Sequence, residues 1–115
     1  MDLRNFYESI GVSYDTVLRR LRKETLIEKY LNMFMQDPSF AQLKADKDKG
    51  DYEEMFRTVH TLKGLALNLE LTPLAEAASD LTELLRNGNP NNSTIVDEKY
   101  QKLMTEYENI RNLLQ

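Results

Sequence analysis

The chain has no cysteine, one histidine, four glycines and three prolines among its 115 residues. Without cysteine it forms neither disulfides nor thiolate metal sites, and a single histidine excludes a metal site built on paired imidazoles. No apolar run approaches the roughly 20 residues that a membrane-spanning helix needs. The first residues also lack the basic stretch and apolar core of a secretory signal. We therefore expect a cytoplasmic protein.

Charge and motif content exclude several further classes of function. The formal net charge is −4, and no basic stripe is present to neutralise the phosphates of a nucleic acid. The sequence has no glycine-rich phosphate loop, no serine in a nucleophile elbow and no complete calcium-binding loop. We expect no cofactor, no bound metal and no nucleotide hydrolysis. The length fits one domain over residues 1–115.

Apolar residues recur at spacings of three and four along most of the chain, which is typical of amphipathic helices. The pattern predicts helices over residues 14–21, 24–36, 38–48, 52–69 and 72–86, and a last helix from about residue 94 to 114. The loops between them are short and polar, so we predict an all-α fold. It is an antiparallel four-helix bundle over residues 24–114, with additional short helices over residues 1–22.

Capping residues define several of the predicted helix starts. Asp51 with Glu54 is a variant capping box that predicts a helix beginning at Tyr52. Ser13 is the predicted cap of the helix over 14–21. Thr72 is the predicted cap of the next-to-last helix, which puts Pro73 in its first position. Ser93 or Thr94 is predicted to cap the last helix, after a loop over residues 87–92.

The single histidine, His60, lies away from the apolar stripe of its predicted helix. At about 100° per residue it falls roughly 130° from the centre of that stripe, so we expect it to be exposed. Five residues lie within about 60° of it on the same helical wheel: Glu53, Arg57, Lys63, Gly64 and Leu67.

This neighbourhood suits phosphoryl chemistry. A neutral imidazole is a competent nucleophile near neutral pH, because its ordinary pKa is about 6.5. Lys63 at i+3 brings an ammonium group near the phosphoryl oxygens, and Arg57 offers a second positive charge. Gly64 at i+4 leaves the imidazole uncrowded. A glycine costs about 1 kcal/mol in a helix relative to alanine, so it needs a reason, which is either this access or close helix packing.

The sequence His60-Thr61-Leu62-Lys63-Gly64 resembles the H-x-L-K-G signature of histidine-phosphotransfer (HPt) domains. The resemblance extends to residues 50–54, to residues 74–78 and 81–85, and to Gly11-Val12 with residues 18–21 near the N-terminus. Two positions depart from the family pattern: Leu65, where the family usually has a small residue, and Glu70, where it usually has glycine.

This resemblance implies that His60 is the phosphoacceptor, that Lys63 balances phosphoryl charge and that Gly64 keeps the imidazole accessible. The implied partners are response-regulator receiver domains, which carry their own Mg²⁺, and a hybrid sensor histidine kinase. We expect the partner to dock on a surface that includes four residues: Glu53, Phe56, Arg57 and Leu67. The chain would then be a phosphorelay intermediate with no kinase or ATPase activity of its own.

Two alternatives remain open. In the first, the chain is a helical adaptor or dimerisation module in which His60 is incidental. In the second, it is the phosphotransfer module of a larger sensor kinase. An adaptor needs neither an exposed histidine nor a glycine beside it, so Gly64 separates the first alternative from phosphotransfer. We expect a monomer, because the sequence has no additional heptad pattern of apolar residues through which two copies could form a coiled coil.

Overall fold

The computed structural model describes residues 2–86 and 92–115, which form seven α-helices and no strand. The all-helical prediction is therefore confirmed. The helices are α1 (Leu3–Ser9), α2 (Tyr14–Leu21), α3 (Glu24–Met35), α4 (Ser39–Asp48), α5 (Tyr52–Asn68), α6 (Thr72–Leu85) and α7 (Ser93–Leu114).

The bundle is built around α5, which packs against α4 on one side and against α6 on the other. Helix α7 packs against α6. Helices α3 and α4 complete the bundle through an aromatic cluster, in which Phe34 and Phe40 both contact Tyr107 of α7. The Phe40 and Tyr107 rings are stacked with 3.5 Å between their centroids. The break between α3 and α4 falls at Asp37-Pro38, because proline disfavours a helical conformation in the residue before it.

The short N-terminal helices α1 and α2 close one end of the bundle. Tyr7 of α1 is fully buried, and its hydroxyl donates a hydrogen bond of 2.7 Å to the backbone carbonyl of Leu69 at the end of α5. Val17 of α2 is buried in the same core. The end of the helix that carries His60 is therefore held by a segment about 60 residues earlier in the chain.

Two of the four predicted caps are wrong. The N-cap of α6 is Leu71, so Thr72 is the first helical residue and Pro73 the second. The backbone N–H of Leu71 closes the turn after α5 by bonding to the Ala66 carbonyl, and the Leu71 carbonyl already accepts the first hydrogen bond of α6, from Ala75. Leu71 therefore serves both helices, and α6 begins at Thr72. The N-cap of α7 is Asn92, whose side-chain oxygen accepts hydrogen bonds from the backbone N–H groups of Thr94 and Ile95. The rest of the predicted loop, residues 87–91, lies outside the described residues.

The other two predicted caps have the expected position. Asp51 accepts a hydrogen bond from the backbone N–H of Glu54, as predicted. The Glu54 side chain does not complete the capping box, because it pairs with Arg57 instead. Ser13 is the N-cap of α2, but its hydroxyl makes no capping hydrogen bond.

Helices α1, α4 and α5 end in the same backbone motif, in which one residue after the cap has a positive φ. The N–H of this residue bonds to the carbonyl three residues before it, and the N–H of the next residue bonds to the carbonyl five residues before its own position. These are the two hydrogen bonds of a Schellman motif. The positive-φ residue is Gly11 after α1 and Gly50 after α4, where glycine carries no steric penalty. After α5 it is Glu70, with a φ of 57°. The departure from the family pattern at Glu70 therefore leaves the helix end itself unchanged.

Candidate functional site

His60 is exposed in the middle of α5, as the helical wheel predicts. The buried face of α5 is formed by Met55, Val59, Leu62 and Ala66, which lie on the other side of the helix. Because α5 is packed against α4 and α6, its orientation in the bundle is determined by this face. The imidazole is thereby directed away from the core.

A buried polar contact joins α5 to α4 close to His60. Asp46 of α4 is only 2% exposed, and its carboxylate accepts hydrogen bonds from Thr58 at 2.8 Å and from Gln42 at 2.7 Å. A buried carboxylate is tolerated only when it is hydrogen-bonded, so this contact is specific. It holds α5 against α4 two residues before His60.

The imidazole of His60 lies beside the phenyl ring of Phe56, one turn earlier in α5. The two rings are nearly parallel, with an interplanar angle of 12° and 5.9 Å between their centroids. This arrangement follows from helix geometry, since side chains lean back over the preceding turn. The Phe56 ring also carries the guanidinium of Arg86, whose Cζ atom is 5.7 Å from the ring centroid.

Three cationic side chains lie near His60, and two of them are paired with glutamate. Arg57 pairs with Glu54 and Arg86 pairs with Glu83, each three residues apart in its helix. The hydrogen bond that Arg57 donates to the Glu54 carboxylate raises the pKa of the Arg57 guanidinium. In contrast, Lys63 forms no ion pair with any residue in the described ranges 2–86 and 92–115.

Glu83 is an acidic residue of α6 that lies near this site, where it pairs with Arg86. The hydrogen bond from Arg86 lowers the pKa of the Glu83 carboxyl, and the nearby charge of Lys63 acts in the same direction. Lys63 therefore lies close enough to α6 for its charge to act on Glu83. Its ammonium nevertheless forms no ion pair among the described residues. Of the three cations, it is the one whose charge has no carboxylate partner among the described residues.

Gly64 is not required by the packing of the described residues. A Cβ atom built at this position meets no atom within 4 Å outside its immediate helical neighbours, and its φ is in the ordinary helical range. Close helix packing, the alternative use of this glycine, is therefore not supported. Leu65, the first departure from the family pattern, is half-buried and packs against the core.

The predicted docking residues surround His60 on the surface. Glu53 and Arg57 are exposed, whereas Phe56 is half-buried. Leu67 is 49% exposed and lines a groove of about 220 Å³ between α5 and α6, together with Lys63 and Glu70. The structure thus brings the predicted residues to one face.

Sequence reasoning missed Glu83 of α6 and Arg86, the residue that caps the C-terminal end of α6, as part of this site. They lie more than 20 residues after His60 and carry no motif, so no local pattern could have identified them. Their place in the site depends on how α6 packs against α5.

The described part of the chain contains no group of three or more histidine, aspartate or glutamate side chains arranged to hold a metal ion. Nor does it contain a helix that is long and apolar enough to cross a membrane.

In a comparison with protein-family models, the Hpt domain model matches residues 17–113. This match spans α3 to α6 completely and includes the residues around His60. The chain belongs to the Hpt domain family. Hpt domains act in histidine phosphotransfer within two-component relays, where they interact with receiver domains and kinases as intermediates without kinase activity of their own.

Helix α1 of this Hpt domain precedes the matched residues, so the Tyr7 contact with α5 lies partly outside the family match. Searches of curated proteins and of solved structures found no match to the chain.

Proposed function

We propose that this Hpt domain accepts a phosphoryl group on His60 from the phosphoaspartate of a receiver domain, or from a kinase, and relays it to the aspartate of another receiver. One observation carries the proposal. The only histidine of the chain is exposed, and within the described part of the chain the lysine at i+3 has no ion-pair partner and the glycine at i+4 has open space around its Cβ position.

In the proposed reaction, the unprotonated ring nitrogen of His60 donates its electron pair to phosphorus as the receiver docks. The bond between phosphorus and the aspartyl carboxylate oxygen breaks, and the carboxylate leaves with that electron pair. The other ring nitrogen keeps its proton. Transfer to a second receiver is the reverse of this step. Phosphoryl transfer depends mainly on positioning and charge stabilisation, which a shared site between two proteins provides.

Each of the three residues has a distinct role in this proposal. His60 is the nucleophile, and Lys63 donates hydrogen bonds to the phosphoryl oxygens as negative charge moves towards the ring. Gly64 keeps the next turn of α5 clear, because a side chain there would lean back over the imidazole. The receiver's own Mg²⁺ neutralises its phosphoaspartate, so we propose that this chain binds no cofactor.

The chain is then a protein substrate and shuttle, and we propose that it has no kinase or ATPase activity of its own. Four surface residues around His60 form the proposed docking surface for the receiver: Glu53, Phe56, Arg57 and Leu67. We further propose that the domain works as a monomer, because the receiver must reach His60 across this face.

The experiment that tests this proposal is phosphoryl transfer from a panel of phosphorylated receiver domains to the wild-type chain and to His60→Gln. Because the chain has one histidine, this variant removes every imidazole. We expect an acid-labile, alkali-stable phosphate on the wild-type chain alone. If a broad panel leaves the folded wild-type chain unlabelled, the proposal is wrong and a helical adaptor becomes the better interpretation.

A further inference from the structure

We propose that Phe56 is a positioning residue for phosphotransfer, which fixes the ring plane of His60, and that Arg86 in turn holds Phe56. This inference rests on the proposed function and assigns Phe56 a role within the site in addition to docking. Three side chains from two helices carry it: the imidazole, the phenyl ring and the guanidinium.

An exposed histidine in a helix can adopt more than one χ1 rotamer, and its outer torsion, χ2, has a broad distribution. Its nucleophilic nitrogen therefore points towards an incoming phosphoryl group for only part of the time. The phenyl ring of Phe56 lies nearly parallel to the imidazole, at a 12° interplanar angle. Their centroid separation of 5.9 Å lies in the range of favourable offset aromatic pairs. The contact therefore favours one ring plane for His60.

Phe56 is suited to this role because it is itself restrained. It is half-buried and packs against the hydrophobic core, so one side of its ring is anchored. Arg86 places its guanidinium 5.7 Å from the ring centroid, within the range of a cation–π contact. Arg86 is fixed by two hydrogen bonds to Glu83, at 2.7 and 3.1 Å. The end of α6 thereby helps to hold the ring against which His60 lies.

The arrangement also separates the two sides of the imidazole. Phe56 lies towards the N-terminal side of His60, and Gly64 leaves the C-terminal side open. An incoming phosphoryl group therefore meets a ring that is supported from one side and free on the other. Positioning of this kind increases rate by reducing the orientational freedom lost on reaching the transition state.

The first measurement needs no phosphoryl donor. The chain has one histidine, so its imidazole proton signals are a single unambiguous set in the NMR spectrum. Stacking on Phe56 shifts these signals through the ring current. We expect Phe56→Leu to move them towards free-histidine positions and Phe56→Tyr to retain them. Tyr52→Leu is the matched control, because Tyr52 is another half-buried aromatic residue of α5 and makes no ring contact with His60 among the described aromatic pairs.

The second measurement is the transfer rate from a phosphorylated receiver, as a function of receiver concentration. We expect Phe56→Leu to lower the rate at saturating receiver by about two- to tenfold, which corresponds to the worth of an aromatic pair. Phe56→Tyr should restore the rate. A purely docking role would instead change the concentration needed for half-maximal rate and leave the saturated rate unchanged.

Arg86→Met provides a variant that does not disturb the core, since Arg86 is exposed. We expect a smaller decrease of the saturated rate, about two- to threefold, with a partial shift of the imidazole signals. This variant keeps the inference testable even if Phe56→Leu fails to fold.

Two results would overturn the inference: imidazole signals that Phe56→Leu leaves in place, or a saturated transfer rate equal to that of wild type in both Phe56→Leu and Arg86→Met. A wild-type chain that no receiver labels would overturn the proposed function and the positioning role with it. The ring-current shift distinguishes these cases, because it reports on the Phe56 contact whether or not transfer occurs.

Discussion

Arg20 of α2 and Glu70, just after α5, form an ion pair with 3.0 Å between Nη1 and Oε1. Glu70 occupies the left-handed region with a φ of 57°, in a turn where α1 and α4 use glycine. A non-glycine residue in this conformation costs about 1 to 2 kcal/mol. The contact with Arg20 offsets part of that cost, because an ion pair of this exposure contributes at most about 1 kcal/mol.

The substitution Glu70→Gly therefore exchanges backbone strain for a lost ion pair. We expect its free energy of unfolding to stay within about 1 kcal/mol of wild type. Glu70→Val loses the same ion pair and keeps the strain, so it should be less stable than Glu70→Gly by about 1 kcal/mol or more. Urea unfolding of the three proteins measures both differences. Equal stabilities of the glycine and valine variants would contradict the assigned strain.

Gly64 offers a test that separates stability from function. Its Cβ position is open, so Gly64→Ala should raise the free energy of unfolding by about 0.5 to 1 kcal/mol. Larger side chains at this position lean back over His60, and we expect phosphotransfer to fall from alanine to glutamine to methionine. Thermal unfolding and transfer assays on the same samples measure the two effects. Transfer that is indifferent to side-chain size would remove the access role of Gly64.

Lys63 is expected to act through its charge. Lys63→Gln removes one charge-assisted hydrogen bond of about 1.5 to 3 kcal/mol, so the transfer rate should fall by about 10- to 100-fold. Lys63→Arg should retain a larger part of the rate than the glutamine variant.

Lys44→Gln is the matched control for this prediction, since it makes the same charge change in the groove between α4 and α7. Its transfer rate should equal that of wild type. If Lys63→Gln and Lys44→Gln behave alike, Lys63 has no specific role.

The buried hydroxyl of Tyr7 predicts an alkaline limit to stability. Burial raises the pKa of Tyr7 above its ordinary value of 10, so the folded state keeps the proton that the unfolded chain releases. The resulting stability is complete below pH 10 and is lost as pH rises above it. We expect the free energy of unfolding to fall by up to about 1.4 kcal/mol per pH unit for this group.

Urea unfolding of Tyr7→Phe between pH 8 and about pH 11 tests whether Tyr7 causes this alkaline decrease in stability. The variant should be less stable at neutral pH, because the Leu69 carbonyl loses its donor, but its alkaline decline should be shallower. The remaining slope belongs to other tyrosines such as Tyr14, whose pKa is raised to about 12 by burial and by its hydrogen bond to Glu24. Identical slopes in the two proteins would exclude Tyr7 as the source.

Much of the fold was predictable because helix formation depends on residues that are close together in the sequence. The apolar positions three and four residues apart predicted the longer helices, and the Asp51 cap predicted the start of α5. The caps of α6 and α7 were not predictable in the same way. The N-cap of α6 is Leu71, which is also part of the turn that ends α5. At the start of α7, Asn92, Ser93 and Thr94 are all residue types that favour the cap position, and the sequence alone does not select Asn92.

The sequence by itself determined the helical class, the exposed position of His60 and the local order of Lys63 and Gly64, because all of these depend on residues within one or two turns of each other. Only the tertiary structure decided how Glu70 is accommodated and which cation lies over the Phe56 ring beside the imidazole. Arg86 reaches Phe56 only because α6 packs against α5, and Arg20 reaches Glu70 only because α2 closes the end of the bundle. Such contacts join residues far apart in the chain, and no local pattern encodes them.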